Sequence, residues 1–473
     1  MGFQGLAGFG GGVAYLTGSG LPKDYWSLGF RADAYDSLTG GLSNGPRVDS
    51  SGNVYSAFYF DDSSGNSEKL AGLLKTNSEG VLQWAMGYTS TSTTVSNVGF
   101  DVSSAGNIFY HIRQGNTYIE HQLLATDGTT TSWMKSLGAD PNDNITGDIA
   151  CRIGDSGGYY ITGTDKDNIG SYSKFALFKL DGSGDIDWSR ALYQSSGNRT
   201  LAGRSFGIDS SENTYHSLNY SLGAPSYMIS STIAKYNSSG TIQWKQEYSI
   251  GSSSTNWDLI DLKGAVCDSS GNSYGFGRYV QDSLFSGSRG ILIKTNSSGT
   301  VQWVKQVPKD GDGYGGELER SAGIDSSGNI YLTTTGRYNS DRTSIVIHKI
   351  NSSGVAQWSR ELYYNAAAES MAWGFCSVDS NDNLYVTGYV SVSSVSRVYL
   401  LKVPTDGTGT GDYGNVTWAT TTTTSISDVA NGTGYATTTS PLTDASLSQV
   451  EASITISQTT ISSPALNNTS YPS

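Results

Sequence analysis

Aromatic residues recur along this chain at a nearly constant interval. Seven times a Tyr or Phe follows a tight turn, and successive members of the series lie 51 to 59 residues apart. The series is Tyr55, Phe109, Tyr160, Tyr215, Tyr274, Tyr331 and Tyr385. A repeat of this length, with several strand-sized pieces in each unit, is typical of β-propellers. The sequence therefore predicts an all-β fold, a seven-bladed β-propeller.

Each unit contains four strand-like segments separated by short polar connections. In the unit around Tyr331 these segments are 321–325, 330–333, 344–350 and 355–358. The turn Asp-Ser-Ser-Gly-Asn suits a hairpin, because Asp bonds its own backbone and Gly accepts a positive φ. A Trp series keeps step with the units: Trp84, Trp133, Trp188, Trp244, Trp303, Trp358 and Trp418. We expect seven four-stranded blades with these Trp side chains largely buried between them.

A Lys also recurs, nine residues before five of these Trp residues. Its positions are Lys75, Lys179, Lys235, Lys294 and Lys349. A residue present in most units most simply serves the unit itself, so we interpret the repeated Trp, Tyr and Lys as structural. Function is then expected among the residues that do not repeat.

Composition narrows the class of partner. The 473 residues include 29 basic and 42 acidic side chains, and the net charge of −13 disfavours a nucleic-acid partner. No apolar run approaches the ~20 residues that span a bilayer, so no membrane insertion is expected. The N-terminus lacks the pattern of a standard secretory signal. Cys151, Cys267 and Cys376 precede the first turn of units three, five and seven, which predicts buried and unpaired thiols.

Three regions follow from the repeat. Residues 1–24 form a Gly-rich N-terminal arm, 25–418 the propeller, and 419–473 a C-terminal tail rich in Thr and Ser without Lys or Arg. The segment 25–28 resembles a last blade strand and is expected to help close the ring, and its share of that role beside Trp418 stays open. Because 446–450 and 453–456 alternate like strands, we expect the termini to join neighbouring subunits of an oligomeric assembly by strand addition.

The long connections predict a recognition surface. In an up-and-down blade the first and third connections share one face, and here both are short Ser-Gly turns. The opposite face collects the variable segments 61–69, 165–172, 194–204, 251–263, 308–320 and 364–373. Variable loops on a rigid scaffold commonly bind ligands. The alternative is that the loop sequences vary because this surface binds nothing. Aromatic residues among polar loops suit glycan stacking, and the candidate ligand-binding residues are Trp257, Tyr314, Tyr364 and Trp373.

Other patterns predict neither catalysis nor a metal site. The segments 310–312 and 165–168 offer oxygens to Ca²⁺ but complete no twelve-residue loop, so solvated turns are the alternative. Metal-ligand spacing is absent from the His residues, which are His111, His121, His216 and His348. The Gly-x-Ser-x-Gly match at 271–275 is the fifth copy of the blade turn, with no helix after it. We expect no enzyme activity, no metal and no cofactor.

Two segments resemble a known family. Asp-Ser-Ser-Gly-Asn-Ser-Tyr-Gly at 268–275 and Leu-Ile-Lys-Thr-Asn-Ser-Ser-Gly-Thr-Val-Gln-Trp at 292–303 resemble the bacterial β-propeller repeat family, over roughly 25–418. The resemblance implies the propeller fold. The Gly-x-x-x-Trp ending also resembles quinoprotein blades, although no quinone site is located here. A Gly-rich start and a Thr/Ser-rich tail are loosely similar to virion proteins of marine tailed phages.

These observations lead to three functional hypotheses. The leading one is a phage virion structural protein, in the tail, a fibre or the capsid, whose termini contact other virion subunits and whose loops contact a host-surface glycan or receptor. The alternative is a cell-surface or exported glycan-binding propeller. A quinone-dependent dehydrogenase is the third. The first hypothesis places the protein in the virion, and the second places it outside the cell.

Overall fold

The chain is represented by a computed structural model that is all β in the part it describes. The described residues are 4–5, 12–16, 25–30, 45–61, 69–89, 95–114, 120–128, 131–137, 143–167, 173–193, 200–221, 229–250, 259–280, 289–307, 318–339, 342–364, 370–392, 395–413, 416–420, 427–428, 435–439, 443–446 and 467–470. Within these ranges no helix is long and apolar enough to cross a membrane.

The strands follow one another as successive antiparallel blades. Before the first blade come β1 (Gln4–Gly5), β2 (Gly12–Leu16) and β3 (Trp26–Phe30). Blade one contains β4 (Arg47–Val48), β5 (Val54–Asp61), β6 (Lys69–Thr76) and β7 (Leu82–Thr89). Blade two contains β8 (Val95–Val102), β9 (Ile108–Gln114), β10 (Glu120–Thr126) and β11 (Thr131–Leu137). Blade three contains β12 (Asp143–Ile153), β13 (Tyr159–Asp167), β14 (Ser173–Leu180) and β15 (Ile186–Tyr193).

The same order continues around the ring. Blade four contains β16 (Thr200–Ile208), β17 (Thr214–Ser221), β18 (Ile229–Tyr236) and β19 (Ile242–Ile250). Blade five contains β20 (Leu259–Cys267), β21 (Ser273–Val280), β22 (Arg289–Thr295) and β23 (Val301–Val307). Blade six contains β24 (Leu318–Ile324), β25 (Ile330–Asn339), β26 (Arg342–Ile350) and β27 (Ala356–Tyr364). Blade seven takes β28 (Ser370–Val378), β29 (Leu384–Val392) and β30 (Val395–Val403) from the end of the repeats.

The fourth strand of blade seven comes from the N-terminus. Strand β3 pairs antiparallel with β30, and Trp26 is the register partner of Lys402. Trp358 and Lys349 are partners in the same way in blade six, so Trp26 occupies the position of the seventh repeat Trp. The fold is therefore a seven-bladed β-propeller whose last blade joins both ends of the repeat region.

The placement of Trp418 in the Trp series was wrong. Trp418 lies in β32 (Val416–Thr420), which pairs with β27 of blade six rather than with blade seven. Its interval from Tyr385 is 33 residues, whereas the six preceding Tyr-or-Phe to Trp intervals are 24 to 29. An extra strand thus imitates the ending of a blade, because the sequence pattern of an outer strand does not specify which edge it joins.

The chain after β30 adds further strands to the outside of the ring. These are β31 (Gly411–Tyr413), β32, β33 (Ser427–Asp428), β34 (Tyr435–Thr439), β35 (Thr443–Ser446) and β36 (Asn467–Ser470). From β32 to β36 they pair with the outer strands of blades six, five, four, three and one. Strands β1 and β2 extend blade seven beyond β3. We call β1, β2 and β32 to β36 the belt, and its described strands all pair with this chain's own blades.

The hydrophobic core lies between neighbouring blades. Tyr55 and Leu73 of blade one pack with Phe100 and Ile112 of blade two in one cluster, and similar clusters follow around the ring. The Tyr residues of the repeat are completely buried, as in Tyr55. Burial of these aromatic side chains between sheets supplies most of the apolar area that holds the blades together.

The repeated Trp residues connect adjacent blades. Trp133 of blade two donates its Nε1–H to the carbonyl of Gly182 in blade three, at 3.0 Å, and the rings of four further Trp residues do the same in their own next blades. Six of the seven Trp side chains named in the sequence series are only half-buried, so the expectation of extensive burial holds in part. The side chain of the seventh, Trp418, is outside the described residues. Each of the six indole rings lies on the outer strand of its blade, where one edge of the indole reaches solvent.

The repeated Tyr and Lys serve the first turn of the blade. In blade six the Tyr331 hydroxyl donates to Asp325 Oδ2 at 3.0 Å, and Lys349 Nζ lies 3.7 Å from the same oxygen and 5.1 Å from the Tyr331 ring centroid. Asp325 Oδ1 also accepts the backbone N–H of Ser327 and Asn329. These contacts confirm the structural interpretation of the repeated residues.

Candidate functional site

The predicted recognition residues lie largely outside the described part of the chain. Trp257 and Tyr314 fall in 251–258 and 308–317, outside the described residues, as does Asp310 of the Ca²⁺ hypothesis. Trp373 lies in β28. Tyr364 ends β27, where its side chain is buried and its ring packs edge-on against Tyr399 at 5.8 Å. A binding role for these four residues stays a prediction.

A cavity of about 410 Å³ opens on the propeller axis, on the face that carries the short turns. Its walls come from the inner strands and first turns of all seven blades. The lining includes Arg47, Ser104, Arg152, Gly207, Cys267, Gly323 and Ser377, one residue from each blade in order. We call this cavity the axial pocket. Its volume lies in the range of small-molecule sites, roughly 300–1,000 Å³.

One register position explains the character of the pocket. Two residues before the first turn, the seven blades carry Arg47, Asp101, Arg152, Gly207, Val266, Gly323 and Ser377, in ring order. Blades one to three thus place three charged side chains next to one another, while blades four to seven place small or apolar ones. At this register position the axial pocket consequently has one charged side and one uncharged side.

The charged side is built around a single carboxylate. Arg47 Nε donates to Asp101 Oδ1 at 2.6 Å, and Arg152 Nη1 lies 3.9 Å from the same oxygen. Asp101 Oδ2 accepts the backbone N–H of Ile153 at 2.9 Å. Arg152 reaches onward to Ser205 Oγ of blade four, at 3.5 Å. The three charged side chains are mostly buried, with exposed fractions of 16% for Arg47, 12% for Arg152 and 9% for Asp101.

Burial and like charge act together on Arg152. Burial and the neighbouring Arg47 lower the pKa of its guanidinium, Asp101 opposes both, and the resulting pKa is about 10. Arg152 therefore remains protonated at neutral pH. Two cations share one carboxylate here, that of Asp101. Asp49 and Asp379 also line the axial pocket, and their carboxylates accept hydrogen bonds from Asn and Tyr residues of their own blades.

The uncharged side depends on close backbone packing. A Cβ on Gly207 would lie 2.8 Å from the backbone N of Cys267, and a Cβ on Gly323 would lie 2.8 Å from the backbone N of Val378. Neighbouring inner strands approach each other too closely for a side chain at these positions. The lining on this side includes short apolar groups such as Val266.

The three cysteines are unpaired thiols. Cys151 and Cys376 are buried, which confirms the prediction for those two, and burial raises the pKa of both thiols. Cys267 is half-buried and lines the axial pocket. Among the residues with described placement, no group of three or more His, Cys, Asp or Glu side chains is arranged to hold a metal ion.

Sequence reasoning overlooked Arg47, Asp101 and Arg152. Each of them alone reads as an ordinary surface residue next to a polar turn. The signal becomes visible only when the blades are aligned on the first turn, because the three residues then occupy one position that faces the axis.

The comparisons with known proteins concern the fold of the chain and not its function. No family model and no curated protein matches this chain. The polysaccharide lyase Uly1 matches 79% of this chain over 90% of its own length, at 8% identity and a TM-score of 0.48. The β-propeller domain of the Trilobed protease from Pyrococcus furiosus matches 78% of this chain over 93% of its own, at 10% identity and a TM-score of 0.42.

A third similar structure is a subtype N10 neuraminidase-like protein of A/little yellow-shouldered bat/Guatemala/060/2010. It matches 66% of this chain over 95% of its own length, at 10% identity and a TM-score of 0.41. Likeness at these identities concerns the fold alone. Some of these proteins carry enzyme names, so the expectation that this chain is not an enzyme gains no support from them. The resemblances to bacterial β-propeller repeats and to phage virion proteins stay predictions from the sequence.

Proposed function

We propose that this chain is a structural and host-recognition protein of a phage particle, a rigid disc that presents its variable loops. The belt is the observation that supports this proposal. Its strands cover outer edges on six of the seven blades, and an uncovered edge is a template for pairing with another chain. A disc with covered edges can be packed at high copy number without uncontrolled edge-to-edge association.

Contact with other virion subunits is proposed to run through the termini. Each belt strand pairs with an outer edge, and the equivalent edge of a neighbouring copy offers the same hydrogen-bonding groups. Exchange of a belt strand between copies therefore requires no new type of contact. The acidic net charge is consistent with assembly through strands rather than through binding to nucleic acid.

Terminal deletions test this part of the proposal. Removal of 1–20 keeps β3, and removal of 425–473 keeps all seven blades, so both variants should retain the β-rich circular dichroism spectrum of the full chain. We expect both to be lost from purified particles, as measured by immunoblotting against a major virion protein. Normal incorporation of both deletion variants would contradict an assembly role for the termini.

Host recognition is proposed for the face that carries the long loops, around Trp257, Tyr314 and Trp373, whereas the fourth predicted residue, Tyr364, is buried and offers no ring for stacking. Stacking of a sugar on an aromatic ring contributes on the order of 1 kcal/mol. Trp257→Ala and Trp373→Ala should therefore weaken binding to host cells several-fold without unfolding the ring. Ser298→Ala, in a short turn on the opposite face, is the matched control. Equal binding by all three variants would place recognition elsewhere or remove it altogether.

A second candidate is an exported or cell-surface glycan-binding propeller. The axial pocket favours it, because a cavity of about 410 Å³ with polar and apolar sides has the size and chemistry of a small-ligand site. A glycan array probed with the purified full chain separates the two proposals. Binding to a defined glycan, together with absence of the chain from particles, would favour the second candidate.

A further inference from the structure

We propose that the axial pocket binds a small oxyanion, a carboxylate, sulfate or phosphate group, between Arg47 and Arg152. This inference concerns the short-turn face and is independent of the proposed role in a virion. It begins from the two guanidinium groups that line the pocket and share a single carboxylate oxygen, Asp101 Oδ1. A second anion would give each of the two guanidinium groups a partner of its own.

The hydrogen bonds of the two arginines leave donors available. Arg47 uses Nε on Asp101 and Nη1 on the carbonyls of Gly45 and Pro46. Arg152 uses Nη1 on the Cys151 carbonyl and Nη2 on Ser205. Among the described residues no acceptor lies against Arg47 Nη2 or Arg152 Nε. Guanidinium donors of this kind match the geometry of carboxylate, sulfate and phosphate oxygens.

The blade itself does not require charge at this position. Blades four to seven carry Gly207, Val266, Gly323 and Ser377 in the same register and pack without it. Burying two cations beside one anion has a desolvation cost that only partners or a ligand offset. The Arg-Asp-Arg set is therefore better explained by an occupant of the cavity than by the needs of the ring.

The rings beneath the arginines fix the direction of the guanidinium groups. Arg152 lies over Phe206 with Cζ 5.6 Å from the ring centroid, and Arg47 lies over Phe100 at 6.0 Å. Asp101 holds the two side chains from a third direction. A guanidinium held in this way loses little further freedom when an anion binds, which favours binding over an equally charged but mobile surface pair.

Titration calorimetry with the purified full chain tests the proposal at low ionic strength. The probes are sulfate, phosphate, acetate and galacturonate, with galactose as the neutral comparison and chloride at matched ionic strength as the background. We expect saturable binding of at least one oxyanion and none of galactose. Galacturonate binding at least tenfold tighter than acetate would identify an acidic sugar as the ligand class, whereas equal affinities would identify the oxyanion group alone.

Two substitutions with opposite expected signs make the test specific. Arg47→Met and Arg152→Met should each weaken oxyanion binding at least tenfold. Asp101→Asn removes the competing charge and keeps one of the two oxygen acceptors, which serves either Arg47 or Ile153, so it should tighten binding several-fold. Arg360→Met, in the outer strand of blade six, removes one positive charge away from the pocket and should bind like wild type.

Two outcomes would overturn the inference. The first is that no oxyanion binds the folded wild-type chain at millimolar concentration. The second is that folded Arg47→Met and Arg152→Met, with the circular dichroism spectrum of the wild type, bind the oxyanion as tightly as Arg360→Met does. The second result would mean that the anion binds elsewhere and that the three charges form a purely structural cluster.

Discussion

Substituting two glycines of blade three would measure how much the Trp contact between blades contributes to stability. Gly184 and Gly157 lie in the two short turns of this blade and both have positive φ, +78° and +86°. A Cβ on Gly184 would lie 2.9 Å from three atoms of the Trp133 indole of blade two, whereas a Cβ on Gly157 would meet nothing within 4 Å. Alanine at either position introduces similar backbone strain, but only Gly184→Ala displaces Trp133.

The expected magnitudes follow from these contacts. Alanine in the left-handed region costs about 1 kcal/mol at either glycine. Displacing Trp133 adds the loss of its hydrogen bond to the Gly182 carbonyl, worth about 1 kcal/mol. It also disturbs ring contacts with Tyr159 at 5.2 Å and Phe109 at 5.9 Å, worth about 0.5–1.5 kcal/mol. We expect Gly184→Ala to lower the free energy of unfolding by about 3 kcal/mol and Gly157→Ala by about 1 kcal/mol.

Urea unfolding followed by far-ultraviolet circular dichroism provides the measurement. The same two substitutions are then made in a Trp133→Leu background, where no indole lies over Gly184. There the two alanine variants should lose similar stability, because only the backbone strain remains. Equal losses in the wild-type background, or an undiminished difference in the Trp133→Leu background, would refute the idea that this indole clamps blade two to blade three.

Two further perturbations test the buried polar groups. Tyr331→Phe removes a hydrogen-bond donor from the Asp325 carboxylate and should lower the free energy of unfolding in urea by about 1.5–3 kcal/mol. The triple variant Asp325→Ser, Tyr331→Phe, Lys349→Leu should lose less stability than the sum of its three single changes, because the three side chains contact one another. Strict additivity would contradict coupling of the three. Burial lowers the pKa of His216 to about 3, and neither ring nitrogen has a partner among the described residues. As the pH falls below about 6.5, His216 becomes protonated in the unfolded chain but stays neutral in the folded chain. The folded state therefore has its full stability above that pH and loses stability as the pH drops toward 3. His216→Phe should reduce this loss in melting temperatures measured between pH 7 and 4, and an unchanged pH dependence would exclude His216 as its source.

The seven blades are predictable from the sequence because each blade repeats its own turn and aromatic residues. The burial of Tyr55 and its equivalents is predictable from the sequence of each blade, since every blade packs the same aromatic side chain against its neighbour. The closure of the ring is not predictable in this way. Whether an outer strand such as β3 or β32 joins blade seven or blade six depends on which edge is free in the assembled ring, and that information is not local to either strand.

The belt was foreseen only as a tendency. The alternating segment 446–450 predicted strand character in the tail. Strand β35 spans Thr443–Ser446, and 447–450 lie outside the described residues. The alternation contained no reason to choose this chain's own blades over those of a neighbour. An outer edge is recognised through backbone groups, which are the same for every blade and every copy. Only the length of the tail, which runs around one ring, favours pairing with the outer strands of its own chain.

Variation among the blades takes two forms, and the difference separates structure from function. In blade two, Ser103, Phe109 and Ala125 stand where most other blades carry Asp, Tyr and Lys, so no charge is left without its partners. In blade three, Gly154 lacks a carboxylate, but Glu212 from the turn of blade four accepts the Tyr160 hydroxyl at 2.9 Å instead.

The axial position varies in the opposite way. Arg47 and Arg152 are added without a matching second anion, although Gly207 and Ser377 show that the same register needs no charge at all. Compensated changes preserve the blade, since each lost charge or hydroxyl is lost along with the groups that it contacted. An uncompensated positive charge beside a cavity does not stabilise the ring by itself, because its desolvation is only partly offset by Asp101. The uncompensated position is thus where a repeat protein of this kind departs from its scaffold, and the axial pocket is the first place to look for its ligand.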